Sequence, residues 1–179
     1  MQPANIRRSI QTKQLHLEGL AKFTHFEPAY YFFIIPTVLI CMEVYDWIAD
    51  REFRAGGFTF FFVGIVVPTV LGVLMYRYQI RQLELKQIPT KFATAEVSEI
   101  VAEIAKRNNW EVKHNTKTFI MLRTHPPFWS GSWGEQITLL FDDGTVWVNS
   151  ICDPNKRTSI VSMGRNKENI QTLAYALNL

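Results

Sequence analysis

Residues 55–76 form the longest uncharged stretch of this chain and constrain its fold more than any other feature. The sequence AGGFTFFFVGIVVPTVLGVLMY holds 22 residues, twelve of which are Phe, Val, Ile or Leu. As a helix it would be about 33 Å long, enough to cross a hydrocarbon core of roughly 30 Å. The twelve large apolar side chains favour insertion by about 4–7 kcal/mol. We therefore predict a transmembrane helix over residues 55–76.

A second apolar stretch precedes this helix and begins at Pro28 with PAYYFFIIPTVLICM. Two acidic residues, Glu43 and Asp46, lie near its end. A carboxylate at the bilayer centre would cost about 3 kcal/mol. Glu43 would instead lie at the edge of the hydrocarbon core, beside aromatic residues typical of a membrane interface. The sequence therefore predicts a span over residues 29–49 and a transmembrane helical hairpin over residues 28–76.

The acidic end of the first span allows two interpretations. Glu43, Asp46 and Asp50 are spaced i, i+3 and i+7, so they share one face of a helix. They could bind a cation or a proton, or they could form an interfacial acidic face that pairs with Arg51 and Arg54. The second is simpler, because the other span holds no acid or histidine that could complete a proton relay.

The distribution of positive charge predicts the topology. Four Lys or Arg residues precede the first span, two lie between the spans, and Arg77, Arg81, Lys86 and Lys91 follow the second. The positive-inside rule then places both termini in the cytoplasm and the turn at 50–56 outside. We expect a multi-pass protein of the cell (inner) membrane, with the lipid bilayer as its first partner.

Small residues line one side of the second span. Gly64, Pro68 and Gly72 recur every four residues, a spacing that allows two helices to approach closely in lipid. The contact could be within the hairpin, or it could form a homo-oligomer through the Gly64/Gly72 face. Pro36 and Pro68 sit in a repeated Pro-Thr-Val-Leu and predict kinks at similar depth. A substrate path along broken helices is less attractive, because two spans cannot enclose one in a monomer.

Two polar segments flank the hairpin. Residues 1–27 carry apolar side chains at a spacing that partly fits an amphipathic helix on the membrane surface, and a frayed tail is the alternative. Residues 77–92 predict a stalk, in which the second helix continues into the cytoplasm until Pro89 ends it.

Residues 93–179 predict a small domain that begins and ends with a helix. Apolar residues recur at helical spacing in both segments. They are Val97, Ile100, Val101 and Ile104 in the first and Ile170, Leu173, Ala174 and Leu177 in the second. Asn166 is a candidate cap for the final helix.

The segments between these helices alternate apolar and polar residues, as strands do. Four strands are expected around residues 110–114, 118–124, 137–141 and 146–152, with a short fifth at 158–163. The Asp142–Asp143–Gly144 turn is a strong hairpin signal. The predicted fold class is α+β: a two-helix transmembrane hairpin followed by a small cytoplasmic α-β(4–5)-α domain. Its antiparallel sheet is expected to carry two helices on one face.

The sequence WGEQITLLFDDGTVWVNSICDPNKRTSIVSMGRNKENI resembles a group of uncharacterised small bacterial membrane proteins. Residues 110–173 carry the resemblance. It implies two spans, a C-terminal α+β domain and a bacterial membrane location, and it implies no activity.

Candidate binding residues lie in the loop HPPFWSGSWGE, residues 125–135. The aromatic side chains of this loop suit a partner protein or the membrane interface, and they also suit a lid over a small core. An anionic small ligand is a second interpretation, with His125 acting beside cations that flank the last strand. The residues proposed for binding are His125, Phe128, Trp129, Trp133, Arg157 and Arg165.

Other chemistry has little support. The histidines show no metal-ligand spacing, no catalytic residue is identified, and no cofactor is implied. Cys41 and Cys152 do not imply a disulfide framework. The net charge of +3 and the absence of a long Lys/Arg run give no case for nucleic acid.

The hypothesis that fits these patterns is an integral membrane protein, not an enzyme, that anchors a small cytoplasmic interaction domain. The alternatives are a domain that senses or acts on an anionic ligand and an accessory subunit of a larger membrane complex.

Overall fold

The computed structural model describes residues 2–49, 60–127, 132–142, 144–156, 162 and 164–178. The predicted turn at 50–56 and nearly all of the predicted strand at 158–163 lie outside these residues. Within them the fold is α+β, as the sequence predicts.

The helices are α1 (Pro3–Thr12), α2 (Gly19–Ile48), α3 (Val67–Gln82), α4 (Thr94–Arg107) and α5 (Arg165–Leu177). The strands are β1 (Lys86–Pro89), β2 (Glu111–Asn115), β3 (Phe119–Arg123), β4 (Glu135–Asp142) and β5 (Thr145–Cys152). A π-helical turn, Phe62–Val66, precedes α3. By its internal contacts the chain divides into two units, residues 23–80 and residues 1–22 with 81–179.

The sheet has five antiparallel strands in the order β1-β5-β4-β3-β2. The Asp-Gly hairpin is confirmed, because Asp142 pairs with Thr145 across the connection between β4 and β5. Gly144 has a φ of 77°, a conformation that glycine adopts without steric cost. The four strands predicted between residues 110 and 152 are present as β2 to β5, whereas the fifth strand of the sheet is β1, which was not predicted.

The edge strand β1 lies in the segment that the sequence assigns to a helical stalk. That assignment is wrong after Gln82, where α3 ends. Ile88 is buried in the core, and β1 pairs with β5 along its whole length. Pro89 closes β1 at the edge of the sheet, a position that tolerates the missing N–H. Burial of Ile88 and backbone pairing with β5 outweigh the tendency of the helix to continue.

One face of the sheet packs against α4 and α5, as the periodicity predicts. Val97, Val101 and Ile104 of α4 and Leu173 and Leu177 of α5 are buried. They meet alternate apolar residues of β3, β4 and β5, among them Ile120, Leu122, Ile137, Leu139, Val146 and Val148.

The start of α5 differs from the prediction in detail. Gly164 occupies the capping position with a φ of 88°, so the capping residue has no side chain to bond the first turn. Asn166 lies inside the first turn, and its Oδ1 accepts a hydrogen bond from Ser150 Oγ on β5 at 3.0 Å. The prediction of an Asn166 cap is therefore wrong, because a bond to the sheet uses the side chain.

The opposite face of the sheet carries the first residues of the chain. We refer to residues 2–18 as the N-terminal arm. Leu15 N donates to Leu83 O at 2.8 Å, and Leu85 N donates to Lys13 O at 2.9 Å. Ile6 and Leu15 are buried, and α1 contacts β4. The amphipathic spacing suggested a helix on the membrane surface. In the structure, apolar residues of this arm pack inside the sheet-containing unit.

Asn149 fixes the start of β1 against the sheet. Its Nδ2 donates to Gln82 O at 2.8 Å and to Glu84 O at 2.9 Å. Asn149 is buried, and its two bonds satisfy the backbone carbonyl groups of Gln82, at the end of α3, and of Glu84, just before β1.

Within residues 23–80 the small residues of the second helix lie against the first. A Cβ on Gly64 would lie 2.8 Å from Leu39 Cδ1, and one on Gly72 would lie 2.9 Å from the ring of Phe33. The close contact predicted for this face is therefore present, and both helices belong to the same chain. The homo-oligomer expected through this face stays a prediction.

The two prolines share a local arrangement. Thr37 Oγ1 donates to Phe33 O and Thr69 Oγ1 donates to Ile65 O, each at 2.7 Å. Each threonine follows a proline and bonds the carbonyl four residues earlier, in the turn that the proline loosens. The π-helical turn directly before Pro68 is a second local adjustment of this kind.

Replacing Gly72 by alanine should destabilise the hairpin by about 1–3 kcal/mol, because the new methyl group would overlap the Phe33 ring. Thermal unfolding in a mild detergent measures the effect. Val70→Ile is the control, since it adds one carbon at an exposed position of the same helix. Equal unfolding temperatures for the two variants would contradict the close contact.

Candidate ligand site

A buried carboxylate organises the end of the sheet where β3 leaves and β4 begins. Glu135 is buried, and its side chain accepts hydrogen bonds from Thr124 Oγ1 and from Ser132 Oγ, the latter at 2.6 Å. Glu135 N donates to Thr124 Oγ1 at 2.8 Å. Two hydroxyl donors satisfy a carboxylate that would otherwise be costly to bury.

Gly134 is required at the entrance to β4. Its φ is 123°, and a Cβ there would lie 2.6 Å from Lys156 Nζ and 2.7 Å from Thr124 O. Lys156 Nζ donates to Thr124 O at 3.1 Å, so a side chain at position 134 would displace that contact. Close packing therefore explains the glycine at position 134.

His125 belongs to an exposed polar chain beside this network. Its Nε2 is 3.0 Å from Glu111 Oε2, and its Nδ1 is 3.3 Å from Lys156 Nζ. Hydrogen bonds from Lys113 and then His125 lower the pKa of the Glu111 carboxyl. Glu111 therefore stays ionised at neutral pH and orients the imidazole.

A buried ion pair lies next to these groups. Arg123 Nε is 3.1 Å from Asp153 Oδ2, although the pair lacks hydrogen-bond alignment. The Asp153 side chain is 0% exposed and the Arg123 side chain is 23% exposed. Asp153 Oδ1 also accepts from Asn155 N at 3.0 Å, a bond that forms a turn directly after β5. This pair therefore holds an arginine at a defined place on the sheet.

Arg123 also lines a cleft of about 290 Å³ between the N-terminal arm and the sheet. Polar side chains enter from both walls. The arm contributes His16 and Glu18, and the sheet side contributes His114, Arg123, Gln136, Thr138 and Asn155. Leu15, Leu17, Ala21 and Met121 supply apolar surface. A concave site with a few polar groups on apolar walls is typical of ligand binding.

The surroundings of His16 are positively charged. Its pKa is lowered, first by burial and then by the charges of Arg8 and Lys22. Thr12 Oγ1 lies 2.9 Å from His16 Nε2, and His16 N donates to Ser9 Oγ at 2.9 Å. His16 is therefore held in place and is biased toward its neutral form.

The structure gives mixed results for the residues that the sequence nominates. His125 contacts Glu111 and Lys156. Arg165 is the first residue of α5, and its backbone N donates to Ser162 O at 3.0 Å. Trp133 is partly exposed beside Gly134. Phe128, Trp129 and Arg157 lie outside the described residues.

Sequence reasoning missed the cleft. Its residues come from the arm, the first turn of α2, β2, β3, β4 and the turn after β5, so no local motif joins them. The sequence Asp153–Pro154–Asn155 is typical of a turn, and this turn places Asp153 within reach of Arg123 on β3. Among the described residues no group of three or more His, Cys, Asp or Glu side chains is arranged to hold a metal ion.

Lowering the pH from about 7.5 to 5.5 should loosen the N-terminal arm. The folded pKa of His16 lies below 6.5, so the undocked arm binds more protons and docking weakens as the pH falls through 6.5. Hydrogen exchange at the Leu15 amide, corrected for its intrinsic pH dependence, measures docking. His16→Asn should flatten the pH response, and an unchanged response in that variant would contradict the assignment.

Comparison with known protein families finds no family that matches this chain, and no curated protein matches it significantly.

Proposed function

We propose that this chain is an integral membrane protein whose helical hairpin anchors a small α+β interaction domain at the cytoplasmic face of the cell membrane. Two helical segments, Gly19–Ile48 and Phe62–Gln82, are long and apolar enough to cross a bilayer. The observation that carries the proposal is how little of their apolar surface the chain itself buries.

Only 11% of the most apolar 18-residue window in the first segment is buried, and 17% in the second. The core helix of a soluble protein would bury most of such a window. Here large side chains on the outside of both helices are exposed, including Ile34, Ile35, Val38, Val63, Val70 and Leu74. A contiguous apolar surface of this kind requires a cover, and lipid is the cover that matches its length.

A reciprocal pair of hydrogen bonds joins the two helices at one end of the hairpin. His25 Nε2 is 3.0 Å from Gln79 O, and Gln79 Nε2 donates to His25 O. This reciprocal pair lies near the start of α2 and the end of α3, where the predicted spans meet the cytoplasmic surface. Polar contacts at that depth fix two helices together at little desolvation cost.

The unit outside the spans has surface features that suit binding. Its sheet carries helices on one face and the N-terminal arm on the other, so its core is complete. The cleft and the exposed Trp133 remain as surface features for a small ligand or a partner protein. The positive-inside distribution of Lys and Arg supports a cytoplasmic position for both termini.

Alkaline extraction of membranes tests the anchoring, and reporter fusions at each terminus test the orientation. We expect the full chain to stay in the membrane pellet and both fusions to report the cytoplasm. Release of the chain into the supernatant would refute anchoring. An external reporter signal at either end would refute the orientation alone.

A further inference from the structure

We propose that the cleft between the N-terminal arm and the sheet binds a small molecule through a phosphate group. The inference goes beyond membrane anchoring and does not depend on it. It rests on the arrangement of donors in the cleft, on the charge around it and on its size.

The donors come from separate elements. Arg123 is on β3, Gln136 and Thr138 are on β4, His16 is on the arm and Asn155 follows β5. A tetrahedral phosphate has several oxygens that accept hydrogen bonds from different directions, which suits donors spread over several walls. A planar carboxylate would use fewer of them.

The guanidinium group of Arg123 is held in a position that suits a phosphate ligand. Asp153 contacts it through Nε, and within the described residues no other hydrogen bond or ion pair is found for its guanidinium. The two terminal nitrogens therefore remain for a ligand in the cleft that this side chain lines. Guanidinium groups bind phosphate oxygens in pairs, and the buried partner reduces the freedom lost on binding.

The balance of charge favours an anion. Among the described residues that line the cleft, Glu18 is the only acid, and the Asp153 carboxylate is paired with Arg123. Arg8 and Lys22 add positive charge, and their field lowers the pKa of His16 on the cleft wall. A bound phosphate would in turn stabilise the protonated form of His16.

The size of the cleft limits the ligand. Its volume of about 290 Å³ lies at the lower end of the range for small-molecule sites. The apolar surface of Leu15, Leu17, Ala21 and Met121 can cover a short organic part. A small phosphate monoester fits this description, and so does the headgroup of a phosphomonoester lipid.

Binding is tested with the full chain in phosphatidylcholine nanodiscs titrated with inorganic phosphate, and in nanodiscs that contain phosphatidic acid. Saturable stabilisation against heat by inorganic phosphate would support a soluble ligand. Stabilisation by phosphatidic acid alone would support a lipid headgroup. No saturable effect in either arm would overturn the proposal.

Variants assign the effect to the cleft. Arg123→Met with Asp153→Asn removes the guanidinium without leaving a buried charge, and we expect at least about tenfold weaker binding. His16→Asn with His114→Asn is a second test at less buried positions, and it should also weaken binding. Arg107→Gln, which removes a guanidinium from an exposed part of α4, should leave binding unchanged. Unchanged binding in both cleft variants would overturn the proposal even if phosphate binds elsewhere.

Discussion

Replacing Val38 and Val63 together by lysine should remove the protein from the membrane. Both side chains are largely exposed on the outside of the helical hairpin. In lipid each lysine near the middle of a span costs about 2.5–3.5 kcal/mol, so the pair costs about 5–7 kcal/mol. That penalty is as large as the insertion free energy that the second span gains from its apolar side chains. Retention after alkaline extraction measures the loss.

If water rather than lipid covered the hairpin, the same substitutions should have little effect on stability. Exposed surface changes usually alter stability by less than about 0.5 kcal/mol, and added lysines improve solubility. Tyr175→Lys is the control, because Tyr175 is 73% exposed on α5 in the other unit. The control should stay in the pellet. A double variant that is retained as well as the control would show that lipid does not cover these helices.

Replacing Arg123 by methionine should destabilise the sheet-containing unit by about 3–5 kcal/mol. The change leaves the fully buried Asp153 carboxylate without its cation, and an unpaired buried charge is among the most costly defects in a protein. Denaturant unfolding in detergent micelles, followed by the fluorescence of the buried Trp147 on β5, reports the loss.

Adding Asp153→Asn should restore most of that stability. Asparagine keeps an Oδ1 that can accept from Asn155 N, so the turn is preserved while the buried charge is removed. Asp153→Asn alone leaves only the partly exposed Arg123 unpaired and should cost less than Arg123→Met. Equal losses in the Arg123→Met variant and in the double variant would show that the ion pair is not the source of the effect.

Most of the fold that could be predicted follows from the periodic spacing of apolar residues in the sequence. The helical faces of α4 and α5 and the Asp-Gly hairpin follow from local spacing, because each element buries one side against a neighbour. The close approach at Gly64 and Gly72 follows from the same kind of pattern. These features depend on residues within a few positions of one another.

The features that were missed depend on residues far apart in the chain. β1 exists because Lys86–Pro89 can pair with β5, about 60 residues later, and no local signal outweighs the helix before it. The N-terminal arm covers the second face of the sheet through backbone bonds between Lys13, Leu15, Leu83 and Leu85. Backbone pairing has little side-chain signature, so sequence patterns do not reveal it.

The candidate site was missed for the same reason. The sequence nominated His125 and the aromatic loop because they looked unusual, whereas the cleft is lined by ordinary residues brought together by the sheet. Arg123 can be recognised as a candidate only from its contact with the buried Asp153 carboxylate in the folded protein. The site is thus a product of tertiary structure.

The native cysteine of the first span offers the most direct test of the account. Cys41 lies on α2 and is exposed at the surface of the chain, so in water a charged maleimide would modify it. With Cys152→Ser as background, we expect no modification of Cys41 in permeabilised membranes until the protein is unfolded in dodecyl sulfate. Tyr175→Cys in the same background should react at once. Rapid modification of native Cys41 in those membranes would contradict a lipid-embedded hairpin.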